Sequence, residues 1–157
     1  MRVFYGLIIT AVILMIGACA LKAYKKEGAL ARVVFLYELG AFICGIIFLV
    51  YTYVPGTTIT VLCKGLIMAS FDWLLILLMY YTQYYTGMFK GVVGVKVFMI
   101  AYSLLETVAF LINTWTRWIF DITYISDDQI IVQFAKGNVL GRLHYVFAYG
   151  IMLLLIL

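Results

Sequence analysis

Three carboxylates interrupt otherwise apolar runs of the chain: Glu38, Asp72 and Glu106. An ionisable group at lipid depth is expensive, so each is expected to face a bundle interior or a wet cavity. There it could take up a proton, a cation or an amine. The same residues could instead serve packing, as neutral acids hydrogen-bonded between helices. Counting along the helices places Asp72 and Glu106 at similar depths, each about 20 Å from one end of its span. Lys64 precedes Asp72 on the same helix face, too far for a direct pair but able to share a groove. A second constellation is expected at one end of the bundle, where Asn113, Trp115, Arg117 and Trp118 close one helix. Lys64 opens another helix there, and Arg142 and His144 open a third. Such a cationic, aromatic-lined mouth could receive a small anionic or aromatic ligand. A belt of interfacial Trp with snorkelling Arg and Lys would give the same residues without a ligand.

Catalysis finds little support. The sequence carries no Ser-His-Asp order and no Gly-rich phosphate loop, and its single histidine excludes an HExxH or His-rich metal motif. No catalytic residue, metal-ligand set or cofactor is expected from spacing along the chain. Cys19, Cys44 and Cys63 lie inside apolar runs without a CxxC, and read as small membrane-helix residues rather than disulfides. The tyrosines at 80, 81, 84 and 85 repeat at helical spacing and fit an interfacial aromatic belt.

The elements that must position these residues follow from composition. Of 157 residues, 67% are apolar and 11% charged, against roughly 45–50% and 25% in soluble domains. A soluble globule of this size could not hide that surface, and a net charge of +4 is too small and scattered for a nucleic-acid surface. The expectation is therefore a single all-α integral membrane helix bundle, residues 1–157, partnered by the lipid bilayer. A span needs about 20 residues, and the apolar runs at about 3–21, 30–54, 59–85 and 92–115 meet that length. A fifth run, 143–157, is shorter and has no polar flank, so a truncated span in a longer chain is expected. The first run resembles a signal peptide only loosely, and a retained helix is expected there.

Pro55-Gly56 marks a tight turn between the second and third spans. Between the fourth and fifth, DITYIS and QIIVQF are β-rich runs joined at Asp127-Asp128, a small hairpin. Gly137-Asn138 then returns the chain to the fifth helix. Lys22, Lys25, Lys26 and Arg32 crowd the first loop, and Lys90 and Lys96 the third. That density favours these loops as cytoplasmic, with the N-terminus and the hairpin extracytoplasmic, in a multi-pass protein of the cell membrane.

Two stretches carry a family resemblance: LIMASFDWLLILLMYYTQYYTG (66–87), ending in Tyr85-Thr86-Gly87, and FAKGNVLGRLHYVFAYGIMLLLIL (134–157). They resemble the seven-transmembrane N-terminal sensor region of bacterial histidine kinases, which also occurs ahead of diguanylate cyclase domains. The resemblance implies two further helices, a cytoplasmic output domain and a homodimer formed through it. It also implies a sensory role in signal transduction, passing an extracytoplasmic or membrane stimulus inward. It departs at Asn138-Val139-Leu140-Gly141, where a proline is usual, and it carries no ligand-binding residues. A small transporter or carrier subunit working through Asp72 and Glu106 is the alternative.

Overall fold

The computed structural model describes residues 2–54, 56–88, 90–126 and 129–156. Pro55 and the Asp127-Asp128 corner lie outside the described residues. Five helices and a two-stranded sheet follow in the order α1 (Arg2–Tyr24), α2 (Ala29–Tyr53), α3 (Thr57–Thr86), α4 (Val93–Thr116), β1 (Phe120–Ser126), β2 (Gln129–Phe134) and α5 (Val139–Ile156). The four apolar runs of full length become α1 to α4, each long and apolar enough to cross a membrane. The apolar α5 is shorter, at 18 residues.

Helices α1 to α4 pack in chain order, as short connections between antiparallel neighbours dictate, while α5 returns to pack on α3. Small residues allow the close approaches. A Cβ on Gly65 would stand 3.0 Å from the Phe110 Cβ and 3.3 Å from its carbonyl oxygen, so α3 and α4 meet where Gly65 has no side chain. α3 is the central element, with Val61, Ile67, Ala69, Asp72, Ile76 and Met79 all buried. By contrast, α2 buries no residue fully. At the far end of α3, the Lys96 ammonium donates to the Gln83 side-chain oxygen and lies 5.7 Å from the Tyr80 ring centre. The basic start of α4 is thereby tied to the aromatic end of α3.

The hairpin is antiparallel, with Phe120 opposite Phe134 and Ile122 opposite Val132, and an irregularity between Tyr124 and Ser126. Two asparagines stitch its base. The Asn113 carbonyl accepts from Arg117 N–H, where Arg117 ends α4 in the left-handed region at φ 53. The Asn113 side-chain oxygen meanwhile accepts from Ile119 N–H at 2.7 Å. Asn138 accepts from Leu140 N–H at 2.9 Å and Gly141 N–H at 3.3 Å, capping α5 as a helix-start Asn does. Its amide donates to the Trp118 carbonyl at 3.0 Å. Without these groups the entry to β1 and the start of α5 would leave backbone N–H groups unsatisfied.

The hairpin does not simply cover the helix ends. Ile119, Phe120 and Val132 are buried together with Val61 and Ala69 of α3 and Phe110 of α4. It therefore lies along the first turns of α3. A second apolar core, built on Ile76, Met79, Met99 and Ile151, fills the opposite half of the α3–α4–α5 group.

Candidate functional site

Between those two apolar cores lies one polar layer. α3 contributes Asp72, one turn from Ala69 of the first core and from Ile76 of the second. α4 contributes Glu106, one turn from Phe110, and α5 contributes His144, one turn from Leu140 and from Phe147. Helical spacing thus sets each ionisable group on the face its helix buries. Asp72 is 0%, Glu106 2% and His144 3% exposed.

The His144 Nδ1 stands 3.2 Å from Glu106 Oε1 and 3.4 Å from Asp72 Oδ2. Charge-assisted N–H···O bonds are usually about 2.7–2.9 Å long and well aligned. Neither contact meets hydrogen-bond geometry, so Nδ1, both Asp72 oxygens and Glu106 Oε2 are buried without a hydrogen-bond partner. The Tyr102 hydroxyl reaches Glu106 Oε1 at 3.4 Å, a long and weak donor. Aromatic rings close the layer towards the hairpin. Phe110 and Phe134 lie 5.8 and 5.9 Å from the imidazole, and Phe120 packs on both phenylalanines. On the other side the Tyr102 and Phe147 rings meet at 4.1 Å.

Buried polar groups are normally satisfied, and unsatisfied ones cost about 1–3 kcal/mol each. A layer of three ionisable side chains with several open valences is therefore poised to hold something. Asp72, Glu106 and His144 offer ligand atoms that all lie within 4.8 Å of one another. One imidazole nitrogen and two carboxylates form a donor set for a divalent cation.

The residues expected at the mouth do not converge in the same way. Trp115 is 78% and Trp118 55% exposed, as interfacial belt residues would be, and Arg117 is exposed at the α4 terminus. Asn113 is buried and holds the turn into β1. Lys64 is half-buried on α3 and Glu38 half-buried on α2. Among the described residues, the ion pairs found are those of His144 with the two acids. His144, expected at the mouth, thus joins Asp72 and Glu106 instead. One signal for this was present in the sequence: two acids at matching depth require a counter-charge, and the single histidine lies in an apolar run. Metal-ligand spacing is not legible along the chain, because the three groups come from three helices.

Long apolar helices enclosing one polar layer between apolar cores define a helical membrane protein. Beyond that class, no family model, curated protein or solved structure matches the chain.

Proposed function

We propose that the chain is a membrane-embedded sensory module in which the Asp72–Glu106–His144 layer is the responsive element. The observation that carries this reading is the pair of His144 contacts, which join three helices through buried charge without a settled hydrogen-bond pattern. A species that binds this layer changes what holds α5 against α3 and α4, and so favours one bundle packing over another. Five membrane spans as part of a longer seven-helix region, an extracytoplasmic N-terminus and hairpin, and a homodimer formed through a cytoplasmic kinase or cyclase output domain complete the proposal. They rest on the resemblance at 66–87 and 134–157 and on the basic first and third loops.

The carrier reading keeps one supporting observation, the placement of three ionisable groups deep in the bundle. A single experiment separates the two. With the native cysteines replaced, spin labels at Leu105 on α4 and Tyr149 on α5, both exposed, report their separation in nanodiscs. The expected result is that Asp72→Asn with Glu106→Gln shifts the distance distribution, while liposomes containing the parent protein show no cation flux. Unchanged distances together with flux abolished by the same variants would establish the carrier instead.

Orientation has its own check. Cysteines placed at Thr58 and Lys136 are expected to react with an impermeant reagent from outside the cell, and those at Glu27 and Lys90 only after lysis. Outside labelling of Glu27→Cys reverses the proposed topology.

A further inference from the structure

We propose that the Asp72–Glu106–His144 layer binds a first-row divalent transition metal ion of the Zn²⁺ type, an inference that rests on the sensory reading of the same site and names its ligand. Three observations carry it. The donor set is one imidazole nitrogen with two carboxylates, a mixture that suits such ions better than Mg²⁺ or Ca²⁺, which prefer oxygen alone. The spacing is also that of ligands rather than of hydrogen bonds. Two donors about 2.0–2.2 Å from an ion at the tetrahedral angle lie roughly 3.4 Å apart, and Nδ1 stands 3.2 and 3.4 Å from the two carboxylate oxygens. Finally, the side chains that would ligate are almost entirely buried and carry atoms without hydrogen-bond partners: His144 Nδ1, Asp72 Oδ1 and Oδ2, and Glu106 Oε2, beside the Oε1 that faces Nδ1.

Charge balance points the same way. Two ionised carboxylates with a neutral imidazole carry two negative charges, and a divalent ion brings the layer to neutrality. Neutrality matters where apolar cores lie on both sides and no other cation reaches the acids among the described residues. Three protein ligands leave a fourth position open. The Tyr102 hydroxyl reaches Glu106 Oε1 at 3.4 Å and orients that carboxylate.

The test uses the full chain in nanodiscs after chelator treatment, with Co²⁺ as the spectroscopic probe and Zn²⁺ as its competitor. The expected result is about one Co²⁺ per chain with the visible absorption of a tetrahedral N/O site, displaced by Zn²⁺ and indifferent to excess Mg²⁺. Asp72→Asn, Glu106→Gln and His144→Gln should each weaken binding by more than about tenfold while helix content by circular dichroism is retained. X-ray absorption on the parent Zn²⁺ form supplies a measurement that does not depend on any variant folding, and should show nitrogen and oxygen ligands only. No binding by the parent protein, sulfur among the ligands (which would indicate Cys63 or another thiol), or binding kept in all three variants overturns the proposal. Loss of the metal site with the spin-label shift intact leaves the sensory reading standing. Binding without any shift removes the sensory reading and keeps the metal.

Discussion

His144→Leu is expected to be the most damaging single substitution in the protein. It leaves the Asp72 and Glu106 carboxyls facing each other between two apolar cores, without the imidazole that contacts both. Breaking a buried pair in this way costs about 3–5 kcal/mol. The loss should appear in metal-free buffer as a lower midpoint in denaturing-detergent titration and as release of α5 from α3. The triple change Asp72→Leu, Glu106→Leu, His144→Leu is expected to recover most of that loss. Replacing a whole buried ionic group by apolar side chains is often neutral or stabilising by about 1–4 kcal/mol. The contrast between single and triple variants is the diagnostic. A single variant as stable as its parent would mean that the imidazole compensates nothing.

A smaller but clear loss should follow a far smaller change at Gly141. A Cβ there would sit 2.7 Å from Cγ and Cδ1 of Phe134. The ring has little freedom to retreat, because Phe120 lies 5.0 Å, Tyr145 5.6 Å and His144 5.9 Å from its centre. Overpacking of this kind costs about 1–3 kcal/mol, so Gly141→Ala should lower the thermal midpoint and expose the hairpin to protease. Gly150, also in α5, has nothing within 4 Å of a built Cβ. Gly150→Ala should be neutral, or stabilising by up to about 1 kcal/mol through helix propensity. Adding Phe134→Leu to Gly141→Ala should restore part of the loss, since contacting sites are not additive. If Gly141→Ala and Gly150→Ala behave alike, the hairpin is not seated on α5 as described.

The sequence shows the long apolar runs plainly, because lipid requires about 20 consecutive apolar residues and little else mimics that. The hairpin is also legible, since Thr, Tyr, Ile and Val runs flanking Asp127-Asp128 stand out from their surroundings. The start of α5 is not. Val139-Leu140-Gly141-Arg142 reads as a loop, because it holds a glycine and a charge, yet Asn138 caps the helix there. That displacement of one turn is what places His144 at the mouth in a sequence reading and inside the bundle in the structure. Nor does the chain announce that α5 returns to α3, which is decided by packing between elements distant in sequence.

The seating of the hairpin also sets a waterline. Lipid tails offer nothing to the open edges of a two-stranded sheet, so an uncovered hairpin cannot sink into the hydrocarbon. It floats at the headgroup level and holds α5 directly beneath it. A hydrocarbon core is ~30 Å thick. α3, at about 45 Å, stands proud of that core by several turns. His144 lies five residues below the α5 start, or about 8 Å. The acid–histidine layer is accordingly anchored a short, fixed distance under the membrane face that carries the hairpin. Under the proposed sensory reading, a change in bilayer thickness would reach that layer through the hairpin and α5.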